Sequence, residues 1–428
     1  MKKILCALAL MAVTVSLSAQ DKIVRKVRVN LEEIQNLMAN PQRTPKENDK
    51  LKQMMAEAFT MITPTLTSPE TKKEMANAWD IMGKLHMFTF SPEIDHIIAK
   101  EPLDTAKLAK ELYAALDAKE KAYLAEKDAK EPKFIIPNKL DIIKFRPYVA
   151  YCGQMFFQNA QSSQKPADYM KAVDAFKRWM NYPKAYTILG TDAAALEQDE
   201  QTPQIAYFTC LSAYFAKDYK TLMEFLPQAR NYTQEKDQVN QLYLTALVEQ
   251  GDTLGWLKAS KEIVLTDPVG NEGITQNVLA YYFNRNDLKA ALAFSEDLLK
   301  QDGESKLANY AKGAVLMQDN KNAEALPFFE KAIQADSEFS DAYYNAGVCY
   351  SNIGYEMNDK LTGKKMTPAQ QKAEIEKVKA EYAKAEPFFL KVQELEPGNP
   401  HKWASRLATV YYILGNKAKQ AEMEKLCE

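Results

Sequence analysis

Gly313 and Gly347 stand 34 residues apart in matching frames, and that spacing constrains this chain more than any other feature. Around the first run Asn309, Lys312, Leu316, Asn320, Ala325, Phe329, Ala332 and Asp336. Around the second run Tyr343, Ala346, Tyr350 and Gly354. A fixed period of this length marks a repeat made of one helix pair. With Lys306 as position 1, Gly313 is position 8, where the first helix of the pair (A) must press closely on the second (B). Ala325, Phe329 and Ala332 then fall at positions 20, 24 and 27, the alternating small and large residues of helix B. Such a pair cannot bury its apolar face alone, so neighbouring pairs must stack.

The same frame recurs upstream. Leu279, Tyr282, Ala291 and Leu298 hold these roles one period earlier. A further unit begins near Asp237 with Tyr243, Leu247, Gly251, Ile263 and the closing pair Asp267-Pro268. Another begins at Pro203 with Cys210, Tyr219, Leu226 and Ala229. Gly153, Phe156, Ala172, Phe176 and Trp179 continue the pattern, with about seven extra residues, including Ser162, Ser163 and Pro166, expected in the turn. Downstream, the string that begins at Ala325 returns at Ala385 after 60 residues, one period plus a 26-residue insertion. The insertion carries the turn Thr362-Gly363-Lys364-Lys365. Thr367, Pro368 and Gln370 follow as a threonine cap, a proline at the first helical position and a glutamine partner. A charged stretch with Glu374, Glu376, Lys377, Lys379 and Glu381 is then expected to extend helix B so that it overhangs, with a bend at Pro387. Trp403, Leu407, Tyr411 and Gly415 begin the last pair, and polar Lys417 to Leu426 is its cap.

The N-terminal region, 22–135, is helical by pattern. Trp79, Met82, Gly83 and His86 match a degenerate helix A, and Leu103 to Lys127 reads as one long helix. The stretch Glu131 to Asn138, with two prolines, is the expected joint before an array over 139–428, whose insertion lies at about 355–380. Residues 1–19 read as a cleavable signal peptide: Lys2 and Lys3, the apolar run Ile4 to Leu17, then small residues before Gln20. Its removal brings the net charge from −2 to −4. The short lysine start has a bacterial look, and the expected location is periplasmic or secreted. Glycine, 14 in 428 against a usual ~7%, is scarce enough to favour helices over strands. The near-neutral charge gives no general attraction for nucleic acid, and no later stretch is apolar enough to span a membrane.

Residues 203 to 428 resemble tetratricopeptide repeat proteins. The stretch from Tyr343 to Val348, the charged insertion, Ala385 to Val392 and Glu394 to Pro397 resemble exported bacterial members of uncharacterised role. The resemblance implies an all-α solenoid, a right-handed superhelix of helix-turn-helix repeats, whose groove is lined by helix A positions 2, 5, 9 and 12. Carried onto this sequence, those positions include Tyr207, Tyr214, Gln241, Gln276, Phe283, Tyr310 and Tyr344. In chaperone-binding members basic and amide residues there clamp a carboxylate. Here the positions are mostly aromatic, amide or aliphatic. Tyrosine, a rigid apolar body with a polar tip, suits protein recognition. It serves inter-repeat packing equally well.

Chemistry of other kinds has no pattern to stand on. His86, His96 and His401 form no His-Glu-x-x-His pair and have no cysteine at ligand spacing. Gly363-Lys364 lacks the rest of a phosphate loop, and there is no Gly-x-Ser-x-Gly elbow. Catalytic, cofactor and metal residues are therefore expected to be none. Cys152, Cys210 and Cys349 occupy equivalent small-residue sites in separate repeats, so these and Cys427 are expected to be reduced. Three readings follow. The first is a non-enzymatic scaffold binding a protein or peptide in its groove. The second is an envelope-complex component docking through the insertion helix. The third is a hydrolase or carbohydrate-active enzyme in the N-terminal half, which a pocket with converging carboxylates would reveal.

Overall fold

A computed structural model describes residues 2–67, 72–267, 270–301 and 303–427, and side chains from residue 21 onward. The signal-peptide side chains and Pro268 lie outside the described residues. Among the described residues every regular element is a helix, and none is long and apolar enough to cross a membrane. The chain divides into two compact units, Met1–Gln250 and Gly251–Glu428.

The first unit runs α1 (Lys2–Ala39), α2 (Pro45–Ile62), α3 (Lys72–Ala99), α4 (Thr105–Glu126), α5 (Ile135–Ser163) and α6 (Pro166–Met180). It continues through α7 (Tyr182–Ala185), α8 (Asp192–Glu197), α9 (Thr202–Phe215), α10 (Tyr219–Ala229) and α11 (Lys236–Glu249). Helix α3 packs on α4, α5 on α6, and α9 on α10. Glycine decides two of these approaches. A methyl group at Gly153 would lie 2.5 Å from the Phe176 ring, so only a bare backbone fits there. At Gly83 it would come 3.2 Å from the Lys119 stem. The seven extra residues near Ser163 lengthen α5 rather than the turn, which is only Gln164 and Lys165. Helix α5 opens at Ile135, so Pro137 sits in its first turn, where a missing N–H costs nothing.

The second unit comprises α12 (Thr253–Thr266), α13 (Glu272–Asn284), α14 (Leu288–Gln301), α15 (Lys306–Gln318) and α16 (Asn322–Ala335). Then come α17 (Ser340–Asp359), α18 (Pro368–Leu395), α19 (Pro400–Leu414) and α20 (Lys417–Lys425). The expected frame holds residue by residue in α15 and α16. Helix A starts at Lys306, and a methyl at Gly313 would meet the Phe329 ring at 2.9 Å. Gly347 stands in the same relation to Phe389, at 2.8 Å, which fixes α18 as the B partner of α17 across the insertion. One period before Gly313 the bulk is exchanged. Leu279 occupies the glycine position, and fully buried Ser295 stands where phenylalanine would. The predicted pair from Asp237 to Pro268 is divided between the units. Helix α11 packs on α9 and α10, whereas α12 packs on α13 and α14.

The insertion lengthens both helices of its pair, not helix B alone. Gly354, two turns beyond Gly347, lies under Tyr382, two turns before Phe389, with a virtual methyl 2.8 Å from the ring. Thr367 and Gln370 form the capping box that starts α18. Gly363, at φ 78°, turns the chain between the helices. Helix α18 continues through Pro387.

Candidate functional site

The A-helix residues expected to line a groove do not share one environment. Tyr207, on α9, is 5% exposed; its hydroxyl donates to Gln238 of α11, and its ring packs 5.4 Å from Tyr232. Burial is the main reason its phenol titrates above the usual range. Tyr214 is half-buried near the end of the same helix, and Gln241 on α11 is exposed. In the second unit Gln276 is exposed on α13, while Phe283 is half-buried against two core clusters. Tyr310 lies between Phe339, at 5.0 Å, and Phe329, at 5.9 Å, and its hydroxyl accepts from Asn345 Nδ2 at 3.2 Å. Burial, reinforced by nearby Asp341, pushes that phenol up to about 12. Tyr344 is half-buried; its hydroxyl accepts from Arg406 Nε at 3.1 Å.

A common role emerges from these bonds. Tyr207 reaches the next A helix, Tyr310 reaches α17, and Tyr344 reaches α19. Position 5 tyrosines thus tie successive A helices together. Tyr207 and Tyr310 are packing residues, so the expectation that they line a partner-binding groove is corrected. Gln276, Tyr344 and exposed Arg406 remain accessible among A-helix residues of the second unit.

The first unit holds a polar system that the sequence reading missed. Helix α4 carries three charged residues near one another in sequence, of which Lys119 and Glu120 are buried and Asp117 is half-exposed. Lys119 is 0% exposed and its ammonium bonds Asp141 at 2.6 Å and Asn138 Oδ1 at 3.3 Å. Glu120 accepts from the backbone N–H groups of Thr187, at 2.8 Å, and Ile188, at 3.2 Å, and from the Thr187 hydroxyl. Asp117 pairs with Arg178 and accepts from the Tyr186 hydroxyl at 3.1 Å. Asp117 and Glu120 thus hold residues 186–188, while Lys119 ties α4 to α5. Nearby, Arg146 lies flat on Trp179, 3.7 Å from the ring, and pairs with Asp199 at 2.7 Å. Its partners lie tens of residues away, so no local motif announces them.

A cavity of about 440 Å³ does lie in the N-terminal half, lined by Glu126, Asp128, Glu131, Lys72, Lys73 and Lys133. Its carboxylates do not form a reacting pair. Glu126 accepts from the N–H of Lys133, at 3.1 Å, and of Phe134, and so caps the start of α5; Asp128 and Glu131 are exposed. His86 bonds Glu111 at 2.7 Å. Among the described residues no three His, Cys, Asp or Glu side chains gather within reach of one metal ion. The four cysteines among the described side chains are free; Cys152, Cys210 and Cys349 are buried, and burial pushes each thiol up to about 12, whereas Cys427 is exposed.

No family model and no curated protein matches the chain. Solved structures do. The C-terminal part of a tetratricopeptide repeat-containing protein from Cytophaga hutchinsonii is 14% identical over 63% of this chain and 93% of its own, with a TM-score of 0.38. MamA is 19% identical over 42% and 90%, with a TM-score of 0.31. Yeast Tom70 is 11% identical over 93% and 85%, with a TM-score of 0.28. At these values the likeness adds nothing to the geometry. The class, an all-α array of tetratricopeptide-type helix pairs, rests on the glycine–phenylalanine frame of α15 to α18.

Proposed function

We propose that this chain is a non-enzymatic scaffold, exported to the periplasm or secreted, that binds a protein or peptide on the face of its A helices. The observation that carries the reading is the row of α15, α17 and α19, tied by Tyr310–Asn345 and Tyr344–Arg406. Stacked repeats of this kind use such extended faces for binding. The signal-like N-terminus supports export. Buried Glu120 and the partly exposed pair Asp117 and Arg178 are engaged by protein partners, the pattern of structural polar contacts rather than of a reacting site.

The test is a pull-down from envelope extract, followed by affinity measurement on the captured partner. Tyr344→Ala with Arg406→Ala should weaken it at least tenfold, a loss of ~1.4 kcal/mol, within the range of interface aromatic and arginine residues. Unchanged affinity removes the A-helix face from the reading. A second reading, docking through the α17–α18 hairpin, is favoured by Tyr355, 64% exposed, and Ile375, 38% exposed, on its projecting part. Replacing residues 358–377 by a short turn separates the two. If that change abolishes binding while the Tyr344/Arg406 variant binds normally, the hairpin is the docking element.

A further inference from the structure

A second cavity, of about 250 Å³, opens among α5 to α10, and its lining includes Arg146, Trp179, Lys184, Leu196, Glu197 and Thr202. It is smaller than the ~300–1,000 Å³ that holds drug-sized ligands, so its occupant is small. The floor is rigid. Arg146 and Trp179 are 4% and 2% exposed and stacked on each other. The guanidinium has two committed ends, Nη1 on Asp199 at 2.7 Å and Nη2 on the Leu196 carbonyl at 3.1 Å. Its Nε–H, and the hydroxyl of Thr202 at the first position of α9, are buried without a partner. Buried donors in folded proteins are ordinarily satisfied, so two unmet ones lining the same cavity call for an acceptor.

We propose that this cavity binds a small zwitterion, a free α-amino acid with an apolar side chain. Its carboxylate accepts from Arg146 Nε and Thr202 Oγ1. Asp199 already neutralises Arg146, so the ligand's two opposite charges must each be matched at the mouth. There Lys184 and Glu197 stand exposed, a cation for the carboxylate and an anion for the ammonium. Trp179 and Leu196 supply the apolar wall. None of its lining residues is on α15, α17 or α19, and the site does not depend on the scaffold reading.

The experiment is calorimetric titration of the full chain with L-leucine, L-valine and L-methionine. It is repeated with isoamylamine, which lacks the carboxylate of leucine, and 4-methylpentanoate, which lacks the ammonium. Saturable binding of at least one amino acid is expected, with both truncated probes at least tenfold weaker. Thr202→Val and the change Lys184→Gln at the exposed mouth should each weaken amino-acid binding threefold or more, with melting of the chain as the check on folding. Glu197→Gln should narrow the gap between leucine and 4-methylpentanoate. Absence of saturable binding by all three amino acids overturns the proposal. So does equal binding of 4-methylpentanoate, or normal binding by both the Thr202 and Lys184 variants.

Discussion

In the α15–α16 pair the closest approach is a bare backbone under an aromatic ring, Gly313 against Phe329. Around α4 it is charge against charge: Lys119 on Asp141, Asp117 on Arg178, and Glu120 on the backbone of residues 187 and 188. The first arrangement is set by volume and can be copied at every period. The second needs particular partners in particular places. Asp117 and Glu120 hold the irregular stretch Tyr186 to Ile188, and Lys119 ties α4 to α5. Repetition suits complementarity of size; a one-off segment is held by directed polar bonds.

Four experiments break or sharpen that contrast. The largest effect is expected from Phe329→Ala, which empties a fully buried ring site over Gly313 and should cost about 3–5 kcal/mol in urea unfolding. Next, Asp141→Ala leaves the Lys119 ammonium buried with only Asn138 beside it, a loss of about 3 kcal/mol. The pair Lys119→Met with Asp141→Leu should recover most of it, because the buried charge itself is gone. If the single change costs no more than an exposed ion pair, polar clamping of the first unit is wrong. Third, Gly313→Ala should destabilise by about 1–3 kcal/mol through overpacking. Gly273→Ala in α13, where nothing stands within 4 Å, should instead stabilise by about 0.5–1 kcal/mol. Equal effects at both glycines would show that close approach does not govern the repeat. The smallest effect is expected at the hairpin tip. Thr367→Ala removes the capping box at a cost of about 1 kcal/mol. Amide exchange should quicken in the first turns of α18 while global melting stays nearly unchanged.

The repeat was legible wherever one residue type kept one role. Gly313 and Gly347, and Phe329 and Phe389 across a 26-residue insertion, announce the frame because each must be small or large. Legibility fell where roles were exchanged, as at Leu279 and Ser295, since the sum of volumes is kept but neither residue looks like its counterpart. The lengthening of α17 was missed although Gly354 was in view, because its meaning depends on Tyr382, 28 residues away. The charges of α4 were unreadable for the same reason at greater distance: Asp117, Lys119 and Glu120 look like the solvated face of an alanine- and lysine-rich helix. For the candidate groove, phase placed the tyrosines on the A helices. It could not show that the neighbouring repeat takes up the hydroxyls of Tyr207, Tyr310 and Tyr344, because helical period gives the direction of a side chain and not the reach of the next helix.

The two glycine slots in α17 are seven residues apart, and so are the rings that fill them, Phe389 and Tyr382 in α18. Two locked points on one pair of rods leave little freedom to hinge, so the hairpin behaves as a strut. From Gly347 to the end of α17 at Asp359 the helix climbs roughly 18 Å at ~1.5 Å per residue. Whatever meets Lys364 and Lys365 at the tip is therefore held at a set standoff from the repeat beneath. The insertion acts as a spacer of fixed length, and removing seven residues from each rod should shorten that standoff by about 10 Å while leaving the angle of contact the same.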